Sequence, residues 1–392
     1  MPRGFPTAAV AAVLGAKTVR TFCYGFLGVL LPVYLSDLGM GATGVGAAVT
    51  FTLVGSAALT WAVRRPAEVF GGRAALMALA VLSALAALLL LATREPWLIV
   101  LATMLGNVAV GTGETGPFLA IEQVVIARAV AAERRTLALS VYNLLGYVAA
   151  GFGAAVVAAF NPRTLFAVFL AGAAVQALAY LWLPREPARA GAAARPPLTS
   201  APLIRRLAAL FVLDSFAGGF TLQSLIAFYL HTRFGLDLAA LGSVFLGVQL
   251  LTGASMLLAV PAARRFGLLP TMVWSHVASN FLLIAIGLAT TPAAAVAFLL
   301  ARHLLSQMDV PTRQAYVMAV VEDHEREAAA ALTNVARTVA QAISPAATGW
   351  VMQVVALGAP FVLGGGLKLV YDLLLWRTFR DVTPRTEARR AT

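Results

Sequence analysis

Residues 122–143 read EQVVIARAVAAERRTLALSVYN, and residues 313–334 read RQAYVMAVVEDHEREAAAALTN. Gln123, Arg135 and Asn143 of the first stretch recur as Gln314, Arg326 and Asn334 of the second, each 191 positions on, in a chain of 392 residues. The same shift sets Glu122 against Arg313, an acid against a base. Phe70-Gly71 returns as Phe266-Gly267 and Tyr34 as Tyr229, with shifts of 196 and 195. The chain therefore reads as two related halves, an arrangement that in membrane proteins builds a central substrate path.

The residues are 60% hydrophobic and only 12% charged, where a soluble domain runs nearer a quarter charged. Lipid is the solvent that such a composition demands. Runs such as 74–92 and 165–183 are long enough to cross a hydrocarbon core of ~30 Å at about 20 residues each. Backbone groups in lipid must pair internally, which favours helices. The runs do not alternate in polarity as barrel strands would. The net charge of +12 lies in scattered loop arginines, so it reads as a membrane signature, and no nucleic-acid partner is expected. Cys23 is the single cysteine; it allows no intrachain disulfide and reads as a small buried residue. The N-terminal apolar run reads as a retained first helix.

Spans are expected at 8–34, 42–63, 73–92, 97–128, 136–160 and 164–183, then at 204–230, 238–262, 268–290, 293–320, 328–355 and 359–378, twelve in all. The fourth and tenth are overlong, which predicts tilt or projection into the cytoplasm. One set of loops holds Arg64, Arg65, Arg73, Arg134, Arg135, Arg205, Arg206, Arg264, Arg265 and Arg326, and the opposite set little beyond Arg94, Arg163 and Arg233. The positive-inside rule then puts both termini in the cytoplasm. A Pro-, Ala- and Arg-rich stretch at 184–203 reads as a cytoplasmic linker between six-helix bundles at 1–183 and 204–392. The expected fold is an all-α integral membrane protein with two pseudo-symmetric halves.

At this point the chain resembles the major facilitator superfamily over nearly its whole length. That family carries Gly-x-x-x-Asp-Arg-x-Gly-Arg-Arg between its second and third helices. The segment here is Arg64-Arg65-Pro66-Ala67-Glu68-Val69-Phe70-Gly71-Gly72-Arg73. Glu68 stands in the acid's place and Gly71 and Arg73 match, while Arg64 replaces the opening glycine and Val69 the first basic residue. The second half keeps Ala263-Arg264-Arg265-Phe266-Gly267. The resemblance implies that Glu68 and Arg73 belong to a cytoplasmic charge network that stabilises the outward-facing state. It also implies that the first, fourth, seventh and tenth helices surround a central cavity. Asn107 occupies roughly the place of a fourth-helix arginine typical of proton-coupled members, and the fifth helix has Gly146, Gly151 and Gly153 without the proline of drug-proton antiporters.

Charges inside a bilayer are costly and face protein, water or a partner. Lys17 and Arg20 lie in the first span, Glu114 and Glu122 in the fourth, Asp214 in the seventh, Arg302, Asp309 and Arg313 in the tenth, and Lys368 and Asp372 in the twelfth. Arg302, Ser306, Asp309 and Arg313 follow helical steps along one stripe. Asn107, Gly111, Glu114, Phe118 and Glu122 do the same, and Lys17, Arg20 and Tyr24 share a face. Lys17, Arg20, Tyr24, Asn107, Glu114, Asp214, Arg302 and Asp309 are thus candidates for a substrate or proton path. Glu68, Arg73, Glu122, Arg135, Arg313 and Arg326 are candidates for gating or a charge network.

Alternatives stay open at several of these positions. Glu122 and Arg313 would form a salt bridge locking the halves, or contact substrate. Asp309 would neutralise Arg302 or Arg313 at one-turn spacing. Lys368 and Asp372, four apart, would pair internally, and Asp214 would be a path residue or an interfacial group. Glu114, within a Gly- and Pro-rich segment, would take up a proton or partner Lys17 or Arg20. Lys17 and Lys368 are the only lysines. His276 and His303 read as hydrogen-bonded bundle residues or proton relays.

These readings point to a monomeric, multi-pass secondary transporter of the cell membrane, with a small-molecule substrate, protons and the lipid bilayer as partners. It would work by alternating access, coupled to protons, and export a small organic or amphipathic compound; uptake of an organic anion is the alternative. No phosphate-binding loop is present, and neither metal nor other cofactor is expected. An integral-membrane lipid-modifying enzyme or a lipid scramblase is the distant alternative.

Overall fold

The computed structural model of the chain describes residues 7–111, 116–185, 201–320 and 326–380. Fourteen α-helices order these residues: α1 (Thr7–Asp37), α2 (Ala42–Ala92), α3 (Pro96–Leu105), α4 (Pro117–Ala129), α5 (Ala132–Ala155), α6 (Pro162–Leu181), α7 (Ala201–Gly219), α8 (Gln223–Phe234), α9 (Leu238–Phe266), α10 (Leu268–Leu288), α11 (Pro292–Ser306), α12 (Asp309–Val320), α13 (Arg326–Val354) and α14 (Ala359–Phe379). No strand occurs among the described residues. Nine stretches among them are long and apolar enough to cross a membrane. Of the expected linker, 186–200 lies outside the described residues, and α7 begins at Ala201.

The sequence repeat has a counterpart in the backbone. Gly71 breaks α2 at φ 86° and ψ 161°, and Gly267 separates α9 from α10 at φ 89° and ψ 164°. The two Phe-Gly steps therefore make the same turn, in a region that side-chain-bearing residues rarely enter. At the shift of 196 fixed by that pair, Gly39 and Gly235 also share a positive φ. Pro96 and Pro292 sit at the same shift, at the starts of α3 and α11, where a missing N–H costs no helical bond.

Three spans expected to be continuous are broken. The fourth divides into α3 and α4, the seventh into α7 and α8, and the tenth into α11 and α12. The first break starts at Gly106-Asn107, where Asn107 takes φ 49°, a conformation that asparagine tolerates better than most residues. On the far side of residues 112–115, which lie outside the described residues, α4 opens at Pro117 behind Gly116 (φ 107°). The second follows Gly218-Gly219, and the third passes through a turn at Gln307-Met308. The extra length of spans four and ten is thus partly spent on turns. Non-helical backbone at membrane depth is tolerated where protein encloses it, and Tyr24 Oη donates to the Gly106 carbonyl at 3.0 Å.

The chain forms two compact units, one of Met1–Ala192 with Ile226–Leu250 and one of Ala193–Leu225 with Leu251–Thr392. The first unit's core gathers Leu76, Phe118, Ile126, Tyr142 and Tyr180, and the second's gathers Phe211, Met272, Tyr316, Tyr371 and Phe379. In the first unit α1 and α5 approach backbone to backbone. A Cβ at Gly25 would meet the Ala150 carbonyl, and one at Gly153 the Phe22 carbonyl. Small residues at such crossings replace the hydrophobic drive that lipid removes. Gly153→Val should therefore lower the apparent melting temperature of the purified protein, with an overpacking cost of about 1–3 kcal/mol or more. Gly15→Ala, at a position with open space around it, should leave it unchanged.

Candidate functional site

Each unit encloses its own cluster of charged side chains. In the first, the helical spacing of Lys17, Arg20 and Tyr24 turns all three inward on α1, and all are buried. Arg20 grips Glu122 of α4 with two parallel bonds, Nη1 to Oε1 at 2.9 Å and Nη2 to Oε2 at 2.6 Å. Tyr180 Oη donates to Oε1 at 2.5 Å and Tyr142 Oη to Oε2 at 2.6 Å. Gln176 Nε2 and Arg20 Nη1 both donate to Tyr180 Oη. Phe118 supplies its ring face to Arg20, and Tyr142 its face to Lys17, each at 4.4 Å. The carboxylate thus accepts four hydrogen bonds in a site from which water is excluded, the condition under which a buried fork-to-fork pair is favourable.

Each member of the expected Glu122–Arg313 lock is engaged inside its own unit. Glu122 takes Arg20, from its own unit, while Arg313 takes Asp309 and Asp214 from the second. Helical stripes show which side chains share a face, and packing then decides which stripe they meet.

In the second unit Asp214 of α7 is the hub. Its Oδ1 accepts from Lys368 Nζ of α14 at 2.6 Å, and its Oδ2 from Arg337 Nη1 of α13 at 3.4 Å and Arg313 Nη1 at 3.5 Å. Asp214 is buried, so the interfacial reading is corrected. The expected Lys368–Asp372 pair is corrected too. Asp372 Oδ1 bonds His276 Nδ1 of α10 at 2.8 Å, and its Oδ2 accepts from Asn280 at 2.9 Å. His276 Nε2 faces Lys368 Nζ at 3.4 Å and Asp214 Oδ1 at 3.7 Å. Asp309 pairs with Arg313 on the same helix, one of the two partners foreseen for it.

The remaining candidates divide. Asn107 is buried at the break after α3, and neither side-chain amide atom has a hydrogen-bond partner among the described residues. Arg302 is buried on α11, and its Nε has no hydrogen-bond partner among the described residues. His303 bonds the Leu299 carbonyl through Nδ1 at 2.8 Å. Glu68 faces Arg64 at 3.9 Å on exposed helix surface, and Arg73 donates to the Leu183 carbonyl at 3.1 Å. Arg135 donates to the Val130 carbonyl at 3.4 Å. Glu114 lies outside the described residues. Arg326 opens α13, and its side chain is outside those described.

Arg337, Tyr142, Tyr180 and Asn280 were missed. Arg337 had a signal, because Thr333, Arg337, Gln341, Ser344 and Thr348 step by four, four, three and four along one stripe of α13. An apolar groove between α1, α5 and α6, lined by Phe22, Cys23, Val148, Phe152 and Val175 among others, holds no charged group.

Long apolar helices and enclosed ion clusters define the class: a multi-pass membrane protein. The family model of the Major Facilitator Superfamily matches residues 13–301 and 207–392, so the chain belongs to that family of transporters. It is 21% identical over 413 residues to YJR124C, an uncharacterized membrane protein of Saccharomyces cerevisiae, covering 93% of this chain and 92% of the relative. Among solved structures it is similar to a D-xylose-proton symporter, with a TM-score of 0.75 at 14% identity over 98% of both chains. It is similar also to the human organic anion transporter MFSD10 (TETRAN), with a TM-score of 0.69 at 16% identity over 95% of this chain and 100% of that one.

Removing one partner of a buried pair strands the other charge, at about 3–5 kcal/mol. Glu122→Gln should therefore lower the apparent melting temperature sharply, and the double variant Arg20→Met with Glu122→Leu should regain most of it. A Glu122→Gln protein as stable as the parent would show that the pair does not hold the first unit together.

Proposed function

We propose that this chain is a proton-coupled secondary transporter working by alternating access. In this reading it crosses the cell membrane twelve times, keeps both termini in the cytoplasm, and acts as a monomer built of two pseudo-symmetric halves. The observation that carries the reading is the interruption of spans four, seven and ten beside buried charged groups. Breaks of this kind free backbone groups for ligands and give a helix a place to bend.

Proton coupling is supported by the second unit's cluster. His276 has Asp372 on one ring nitrogen and the Lys368–Asp214 pair on the other, so a proton gained there alters which carboxylate holds which cation. Glu114 keeps its proposed role as a further protonatable group of the path. The cargo is a small organic compound, and export is the direction we place first. Uptake of an organic anion is the second reading, favoured by the buried and incompletely bonded Arg302, and in keeping with one structural neighbour, the human organic anion transporter MFSD10.

Proteoliposomes holding the full chain and a trapped pH dye test the coupling. Compounds that stabilise the purified protein thermally should shift the internal pH when added outside, and an imposed pH gradient should drive their accumulation. Accumulation that persists after a protonophore collapses the gradient would overturn proton coupling. Transport unchanged in Glu114→Gln would remove that residue from the path, and transport unchanged in His276→Gln would do the same for the cluster.

A further inference from the structure

Among the described residues, the interior charges of the second unit balance without Arg302. Asp214, Asp309 and Asp372 supply three negative charges, and Lys368, Arg313 and Arg337 three positive ones. Each of these six lies in a direct ion pair or, for Asp372, in hydrogen bonds to His276 and Asn280 that connect it to Lys368. Arg302 is the cation left over. It is 7% exposed, makes no ion pair among the described residues, and its Nε has no hydrogen-bond partner. Asp309 and Asp214 reach it only through space, and both are already engaged. One turn further along α11, the buried Ser306 hydroxyl is also without a partner among the described residues. The two orphans thus lie on one helical face, next to the turn where α11 gives way to α12.

An arginine cannot shed its charge, and a buried cation without a counter-ion is disfavoured. From this we propose that Arg302 and Ser306 form the binding subsite for the anionic head of the cargo, and that the cargo is an organic monoanion. The guanidinium offers Nε and one Nη as parallel donors, which matches the two oxygens of a carboxylate or sulfonate. The serine hydroxyl supplies a third donor. One unbalanced positive charge calls for one negative charge, so a dianion would carry an excess into the site and a neutral amide would leave the arginine uncompensated. His303, the neighbouring titratable group on α11, is turned to the Leu299 carbonyl and does not compete. The proposal rests on the transporter reading and names the chemistry of its cargo.

Thermal unfolding of the full-length protein in detergent tests it without requiring transport. The probes are benzoate and benzenesulfonate, with benzamide, benzylammonium and phthalate as matched controls. The monoanions should raise the apparent melting temperature and the controls should not. Arg302→Gln should weaken the benzoate response by about 10- to 100-fold in concentration, the loss expected of a charge-assisted hydrogen bond, and Arg302→Lys should retain part of it. The ligand-free Arg302→Gln protein should melt higher than the parent, because an uncompensated charge has gone, whereas Arg313→Gln should melt lower. A lower melting temperature for ligand-free Arg302→Gln would show that the residue has a structural partner and overturn the proposal. So would equal stabilisation by benzamide, an unaltered benzoate response in Arg302→Gln, or no response of the parent to either monoanion. Failure here with proton-coupled movement intact in proteoliposomes leaves the transporter reading standing, while anion binding without any movement removes that reading alone.

Discussion

Arg20 and Glu122 are tolerable inside the first unit only together. Separated, each would be an ion with neither water nor counter-charge; joined, they present a neutral, fully bonded group to the aromatic side chains around them. The pair ties α1 to α4, and Tyr142 and Tyr180 draw α5 and α6 to the same carboxylate. Four helices are thereby fixed in azimuth around one residue. The second unit solves the same problem differently, with a chain of ions and polar groups drawn from α7, α10, α12, α13 and α14. The first unit's pair is closed on itself, whereas in the second unit Asp214 is shared among Lys368, Arg313 and Arg337.

The breaks in three spans belong to the same logic. A continuous helix uses its own carbonyls and amides and leaves nothing for a ligand. Where α3 ends, Tyr24 takes up one released carbonyl, while the Asn107 side-chain amide has no partner among the described residues. Where α11 ends, Ser306 Oγ and Arg302 Nε likewise have no partner among the described residues.

Much of the fold was legible in the sequence. Apolar runs fixed the helical class because lipid leaves few other choices. The Phe-Gly repeat predicted related halves, and its two glycines adopt matching dihedrals. Charged side chains were legible as a set, since helical spacing shows which of them share a face. Their pairing was not. Lys368 and Asp372 lie four apart on one helix, yet each finds a better partner on another helix, Asp214 and His276. Such choices depend on interhelical distances of a few ångströms, which spacing along one chain does not encode. The break at Asn107 was hidden for a related reason: glycine and asparagine permit a left-handed residue without requiring it.

Only two lysines occur in the chain, and both are enclosed: Lys17 beneath the ring of Tyr142, Lys368 against Asp214. Every other side-chain cation, histidine apart, is an arginine. The surface of the folded protein is therefore nearly silent to chemistry directed at lysine amines. Acylating reagents would find side-chain targets only by entering the units, so their reaction clocks how often, and on which side of the bilayer, each interior meets water.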